Sequence, residues 1–239
     1  MKNEELSSRP LYRMFTSVPG RYDLMNRLLT LGMDQVWRKK AARMCLGNHP
    51  RRVLDLCTGT GDLAIHLRRM ADAETEIHAL DFSEPMLGLA INKSRGCKTE
   101  NIKFIKGDVA GLPFEDDYFD SIGITFAFRN LTFHNPLSNN YLSEIRRVLR
   151  PGGQCIIVET GQPRSRFIKS LYHRYLNSIV AGAGGALSGN PAAYRYLANS
   201  ARNYYSVREL SSLILHSGFG HIEHFPLLFN IISIYRIIK

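Results

Sequence analysis

The sequence has no apolar run approaching the ~20 residues that span a bilayer. Its opening stretch, MKNEELSSRP, lacks the apolar core of a secretory signal. Together these absences make a cytoplasmic protein the expectation. Cysteine is scarce: Cys45, Cys57, Cys97 and Cys155 stand far apart with no CxxC pair. That spacing argues against a disulfide framework or a zinc site, and the four read as reduced and mostly buried. No internal repeat or low-complexity tract is present. Acidic residues are missing altogether from residues 164–208, which hold seven Lys/Arg.

What is there is an ordinary globular balance over 239 residues, 44% hydrophobic and 22% charged. The net charge of +10 is unevenly spread. Residues 1–52 carry 11 basic and 4 acidic residues, residues 53–163 carry 11 and 15, and residues 209–239 carry 2 of each. Two basic segments therefore flank a mildly acidic middle. If they meet in space they form one positive face, suited to nucleic acid or to an anionic membrane surface. The plain alternative is a solvated surface.

Residues 12–31 read as helix, a break at Pro19-Gly20, then helix, and residues 34–46 as a basic amphipathic helix with Val36, Trp37, Ala41, Met44 and Leu46 on its apolar side. From Arg52 onward strands and helices alternate. VLDLC (53–57), IHALD (77–81), NIKFIKGD (101–108), FDSIGITFAF (119–128) and QCIIVET (154–160) read as strands. Helical spacing runs through 62–71, through the segment after the N-cap candidate Ser83, and through 136–149, which Pro151-Gly152-Gly153 stops. Residues 164–205 contain helix-like stretches and an AGAGG loop; GHIEHFPLL (220–228) and IISIYRIIK (231–239) then form an antiparallel pair. The expected fold is α/β: a doubly wound, seven-stranded, mostly parallel sheet with a C-terminal antiparallel hairpin and a helical lid. It is read as one domain over 1–239, with an N-terminal lid (1–52), a cofactor-binding core (53–163), a helical lid insertion (164–208) and the end of the core sheet (209–239).

The first strand runs into Asp55-Leu56-Cys57-Thr58-Gly59-Thr60-Gly61-Asp62. Small residues here let the backbone approach a ligand at the carboxyl end of the strand. The dinucleotide fingerprint GxGxxG is absent. Asp62 opens the helix where a pyrophosphate would sit, and a carboxylate there repels phosphate and attracts a cation. With Asp55 nearby, the turn suits a nucleoside with a positive or zwitterionic tail, the description of S-adenosyl-L-methionine. Asp81 ends the second strand, where an acid can accept both ribose hydroxyls. Asp108 ends the third, where it can accept the adenine amino group while Val109 offers a backbone amide. A single such Asp is more often a helix cap. Three in this order, beside a Gly turn, form a stronger pattern.

VLDLCTGTGD, ALDFSEPML, GDVAGLPFEDDYFDSI and RRVLRPGG resemble the successive motifs of class I S-adenosylmethionine-dependent methyltransferases. RYDLMNRLLTLGMDQVWRKK (21–40), ITFAFRNL (124–131) and AAYRYLANSARNYYSVREL (192–210) are similar to stretches of the quinone-biosynthesis C-methyltransferases, which act as demethylmenaquinone methyltransferase or 2-methoxy-6-polyprenyl-benzoquinol methylase. The sequence departs from that family in its Gly-rich 180–190, in Thr160-Gly161-Gln162-Pro163 and in Phe126-Ala127-Phe128. Amino methyltransferases carry an Asn/Asp-Pro-Pro-aromatic turn after the fourth strand. Its absence here argues against an amine acceptor and, with no RNA-binding module, against nucleic acid.

The resemblance implies a cofactor site of Asp55, Thr58, Gly59, Thr60, Gly61, Asp81, Phe82, Asp108, Val109, Thr125 and Phe126, with S-adenosyl-L-homocysteine as product and no metal. It implies a catalytic pair, Arg129 and Asn130, and lid or substrate residues Tyr22, Asp23, Asn26 and Tyr196. The acceptor is then a lipid-like quinol, or alternatively another small aromatic or lipid-like molecule. A cofactor-binding protein without catalysis is the third reading. Arginine is charged at any working pH, so Arg129 suits phenolate stabilisation rather than proton removal; the alternative is an ion pair with Asp23 that locks the lid. Asp23, Tyr22, His134 and Tyr196 are the candidate proton acceptors. Phe167, Leu171, Tyr172, Tyr175 and Leu176 at helical spacing form a stripe that would rest on anionic lipid at the inner face of the membrane. Packing on the core, or on a second subunit of a homodimer, is the competing account.

Overall fold

The fold, taken from a computed structural model, is described for residues 19–188 and 191–239. Seven strands form one sheet: β1 (Arg52–Leu56), β2 (Glu76–Asp81), β3 (Ile102–Lys106), β4 (Phe119–Thr125), β5 (Leu149–Thr160), β6 (His221–Leu227) and β7 (Ile232–Ile238). Their spatial order is β3-β2-β1-β4-β5-β7-β6. The first five are parallel, and β7 runs antiparallel to both β5 and β6. The order reverses between β1 and β4, so their carboxyl ends open a crevice, the usual ligand site of such sheets.

The helices pack on both faces. Helices α1 (Pro19–Thr30), α2 (Met33–Cys45), α3 (Asp62–Met70), α4 (Glu84–Gly96), α5 (Phe128–Thr132) and α6 (Ser138–Val148) precede β5. After β5 come α7 (Arg166–Tyr175), a π-helical stretch (Leu176–Gly184), α8 (Gly185–Ser188), α9 (Pro191–Asn203) and α10 (Val207–His216). One core cluster joins Leu54, Leu56, Ile122 and Ile124 to Tyr141, Leu142, Ile145 and Val148, one side of α6. The opposite cluster joins Val53, Ile77, Ile156 and Ile234 to Trp37, Ala41 and Cys45 of α2 and Leu63 and Leu67 of α3. Gly123 is required here. A Cβ on it would lie 2.7 Å from Leu63 Cδ2 and 3.2 Å from Cys45 Sγ, so only glycine lets α2 and α3 approach β4 this closely. A third cluster, Tyr172, Leu176, Val180, Ala193, Tyr194, Ala198 and Ala201, binds the post-β5 helices to one another, with Leu29 of α1 packed against it. The two basic segments of the sequence therefore do meet.

Several local expectations change. Strand β4 stops at Thr125: Phe126 takes a left-handed φ of 61° and Phe128 opens α5, so Phe126-Ala127 is a bend and none of Phe126-Ala127-Phe128 is strand. Helix α6 runs directly into β5 at Leu149, leaving Pro151-Gly152-Gly153 within the strand, where the β4–β5 register shifts between Phe119 and Ser121. Ser83 holds the N-cap position of α4, but its hydroxyl makes no capping bond. The buried side of α2 includes Asp34 and Arg38 and excludes the exposed Val36. The AGAGG segment is helical rather than a loop. The stripe on 167–176 is split: Tyr172 and Leu176 are buried in the third cluster, while Phe167 and Leu171 are exposed. Residues 12–18, read as helix, lie outside the described residues.

Candidate active site

Two cavities of about 600 and 640 Å³ lie side by side at the carboxyl ends of the central strands. The first is walled by the β1 turn, the ends of β2 and β4, and the segment after β3. Thr58, Gly59, Thr60, Asp81, Phe82, Asp108, Val109, Thr125 and Phe126 line it. The β1 turn is shaped by left-handed backbone at Cys57, Gly59 and Gly61, with φ of 59°, 56° and 83°. Thr58 N donates to Leu80 O at 2.9 Å, tying the turn to β2.

Asp81 is the hub of this wall. Its two carboxylate oxygens accept Gly59 N and Ser83 N, each at 2.8 Å. Each oxygen can accept a second bond, as a vicinal diol requires. Burial raises its carboxyl above the ordinary value, against the pull of the backbone amides. Asp108 accepts Ala110 N at 3.1 Å and faces the same space. Phosphate would meet two carboxylates in this cavity; a phosphate-free nucleoside meets acceptors for its hydroxyls and exocyclic amine.

Asp55 and Gly61 are not among the lining residues. Asp55 is buried under the turn, where Thr58 Oγ1 at 2.5 Å and Ala64 N at 2.9 Å bond its Oδ2. Its burial pushes the carboxyl up to about 7. Asp55 braces the turn from below. Gly61 is packed 2.9 Å, by its would-be Cβ, from Ala90 Cβ of α4. The cation expected at Asp62 comes from the protein itself: Lys93 Nζ donates to Asp62 at 2.9 Å. Burial would raise Asp62, but the charges of Arg38 and Lys93 outweigh it and hold the carboxyl below the usual range.

Asp23, on α1, does not pair with Arg129. It accepts Thr60 Oγ1 at 2.6 Å and also receives Lys93, whose ammonium donates to Thr60 Oγ1 at 3.0 Å as well. The first described helix is thus fastened to the β1 turn. Asp23 lines neither cavity, and the side chain of Tyr22 lies outside the described residues.

The second cavity is almost wholly apolar. Leu29, Trp37, Ile168, Leu171, Tyr172, Leu176, Val180 and Leu197 are among its walls, and Asn26 and Arg129 also reach it. The partner of Arg129 is Glu159, the last acid of β5. Glu159 accepts Arg129 Nη1 at 2.9 Å and Arg129 N at 3.0 Å, which caps the start of α5. Thr160 Oγ1 accepts the same Nη1 at 2.6 Å. Both side chains are buried, at 3% and 0% exposure, so the pair is a desolvated one. Arg129 Nε has no hydrogen-bond partner.

Arg38, Phe126, Asn130 and Tyr196 line both cavities and so form their common wall. Arg38 lies 5.1 Å above the Phe126 ring, donates to Thr125 Oγ1, and stands 3.8 Å from Asp34. Asn130 Oδ1 is a buried acceptor with no partner. Tyr196 has its phenol raised by burial, which disfavours it as a proton acceptor. His134 lines the first cavity only.

Sequence reasoning missed Arg38, Lys93 and Glu159. Glu159 was legible: it stands at the carboxyl end of an apolar strand, next to last in β5, as Asp81 ends β2 and Asp108 follows β3, which stops at Lys106. Arg38 and Lys93 carried no signal, being basic residues among others on helices.

Comparison with known proteins finds a matching family and fold. A family model described as the ubiE/COQ5 methyltransferase family matches residues 3–239. A demethylmenaquinone methyltransferase of Thermus thermophilus is 36% identical over 93% of this chain and 98% of its own. A ubiquinone/menaquinone biosynthesis C-methyltransferase UbiE of Geobacter sulfurreducens is 37% identical, covering 93% of this chain and 85% of its own. In fold, an S-adenosylmethionine-dependent methyltransferase of Thermotoga maritima superposes with a TM-score of 0.63 at 18% identity, over 95% of this chain and 99% of its own.

Proposed function

The chain belongs to the ubiE/COQ5 methyltransferase family and is an S-adenosylmethionine-dependent methyltransferase; from that premise we propose that it methylates a ring carbon of a prenylated quinol in menaquinone or ubiquinone biosynthesis. The observation that carries the substrate class is the shared wall. A polar cavity with strand-end carboxylates and an apolar cavity of equal size meet at Arg38, Phe126, Asn130 and Tyr196. The first accommodates a nucleoside and the second a hydrocarbon tail, and the ring belongs between them.

In this reading Asp81 holds the ribose hydroxyls, Asp108 and the Val109 amide take the adenine edge, and Thr58 to Thr60 give the backbone floor. Bound S-adenosylmethionine supplies a methyl group made electrophilic by its sulfonium. The chain's task is to place the ring in line and to make its carbon nucleophilic. A quinol hydroxyl titrates near ~10, so an ionised oxygen needs stabilising in a site closed to water. Arg129, held and charge-balanced by Glu159, brings its guanidinium N–H donors to the apolar cavity, where they can bond a developing oxyanion. Asn130 Oδ1, lacking a partner, accepts the hydrogen bond of a ring hydroxyl and fixes which carbon faces the first cavity. Asn26 and Tyr196 complete the ring's surroundings. Membrane contact through the basic lid fits a substrate that resides in lipid.

The test is transfer of labelled methyl from S-adenosylmethionine to demethylated naphthoquinol or benzoquinol, with the product placed by mass spectrometry. A ring-carbon methyl is expected. A methyl on oxygen or nitrogen, or no transfer to any quinol, would sink the assignment.

A further inference from the structure

The apolar cavity opens through a rim of exposed hydrophobic side chains. Leu31, Met33, Leu171, Leu228 and Phe229 all line its mouth. They are 90%, 40%, 50%, 50% and 73% exposed. They come from three places far apart in sequence: the α1–α2 corner, α7, and the turn joining β6 to β7. Scattered exposed leucines need no explanation, but a contiguous apolar ring around a cavity mouth does.

The β6–β7 turn is built to hold its part of the ring outward. Leu228, Phe229 and Asn230 take φ of 44°, 55° and 68°, three successive left-handed residues without a glycine. Leu228 and Phe229 are sterically disfavoured there, whereas asparagine adopts this region readily. The conformation is held by the buried Asn230. Its Nδ2 donates to Gln162 O at 2.7 Å and its Oδ1 accepts Ser233 Oγ at 2.9 Å. Gly161 N donates to Ile231 O at 2.8 Å. A Cβ on Gly161 would fall 2.5 Å from Asn230 O, so the turn is seated tightly on the end of β5. A tightly anchored turn with a phenylalanine in water at its tip is not a packing remnant.

The surroundings are basic. Arg164, Arg166, Lys169 and Arg174 are exposed on and before α7, within a segment that has no acidic residue. The charge of Arg164 reaches His224 of β6, which places it beside the same hairpin.

We propose that this rim is a membrane-docking surface: Leu228 and Phe229 enter the headgroup–acyl boundary of an anionic bilayer as a wedge. Leu31 and Leu171 flank them, the α7 cations lie on the headgroups, and the cavity opens directly into the leaflet. The proposal rests on the quinol reading above and adds the route by which a water-insoluble tail enters. Among rival occupants, a second copy of this chain would also cover apolar residues, but the basic flank repels its own copy and matches anionic lipid.

Flotation of the full chain with vesicles tests this. Phosphatidylcholine mixed with phosphatidylglycerol is compared with phosphatidylcholine alone. Asparagine adopts the left-handed conformation readily, so Leu228→Asn/Phe229→Asn keeps the turn and removes its apolar surface. Wild type should float with the mixed vesicles far better than with phosphatidylcholine. The double variant should partition about tenfold less or weaker still. Leu31→Asn, on the opposite side of the rim, gives the same reading should the turn variant melt early. Equal flotation of wild type and variants, or no flotation of wild type, overturns the proposal. So does a wild-type dimer in sedimentation that the substitutions dissociate while vesicle binding persists. Methyl transfer by wild type to a detergent-solubilised demethylnaphthoquinol separates the two claims. If transfer occurs and flotation fails, only the docking surface is wrong; if no quinol is methylated, both fall.

Discussion

Glu159→Ala removes the anion beneath Arg129, and the structure sets the size of the effect. Four donors lose an acceptor: Arg129 Nη1, Arg129 N, Thr160 N and Thr160 Oγ1, at 2.9, 3.0, 2.8 and 3.1 Å from Glu159. The guanidinium is 3% exposed, so water cannot replace the carboxylate. Breaking a buried pair from one side costs about 3–5 kcal/mol. That is a large part of the about 5–15 kcal/mol that holds a domain folded. Arg129→Met/Glu159→Gln behaves differently. The carboxylate holds the Arg129 and Thr160 amides on separate oxygens, so the glutamine carbonyl accepts one of them and no charge remains. The double variant should be more stable than Glu159→Ala, with one amide left unpaired at a cost of about 1–3 kcal/mol. Urea unfolding of the two variants measures this. A cost below about 1 kcal/mol for Glu159→Ala would refute the burial argument. Turnover of the double variant then tests the chemistry. Loss of a positioned donor to developing oxyanion charge should lower kcat about 10²–10³-fold. A stable double variant with wild-type kcat would falsify the role given to Arg129 and leave it as the partner of Glu159 alone.

Asp81→Asn should weaken S-adenosylmethionine binding by about 10–100-fold, because a charge-assisted bond to a diol becomes a neutral one; calorimetry showing unchanged affinity would remove Asp81 from the site. Asp55, raised to about 7 from 3.8, binds a proton more readily folded than unfolded. Its contribution is therefore fully present below pH 3.8 and lost as pH rises through about 7. Urea midpoints should accordingly fall less steeply between pH 5 and 7.5 in Asp55→Asn than in wild type, and parallel profiles would contradict this. Gly123→Ala should destabilise by about 1–3 kcal/mol, since its methyl would sit 2.7 Å from Leu63 Cδ2; an unaltered melting temperature would show that α3 can retreat at no cost.

Much of the architecture was readable from local pattern. Apolar runs of strand length alternating with helical spacing require a parallel sheet, and two strands joined by a short loop at the end require an antiparallel pair. The acids at the ends of β2 and β3 could be placed in one crevice because parallel strands align their carboxyl ends. The stop of β4 at Thr125 was not readable, because FAF has every preference for strand and only tertiary contacts place Phe126 in the left-handed region, 6.1 Å from the Trp37 ring.

Pairing was the part that only tertiary structure decided. Arg129 meets Glu159 across 30 residues, Asp23 meets Lys93 across 70, and Arg38 meets Thr125 across 87. Composition and periodicity state that a residue is charged and which side of its helix is buried. They do not state which buried sides face one another, because several charged partners of the same sign suit each residue equally until packing brings one within reach. Asp55 and Asp81 show the same division. Both lie at the carboxyl ends of apolar strands, Asp55 next to last in β1 and Asp81 last in β2, but packing turns Asp55 under the Gly turn and Asp81 toward the cavity. The rim around the apolar cavity is the extreme case, since its residues come from α1–α2, α7 and the β6–β7 turn, and only the packing of these elements on the sheet brings them together.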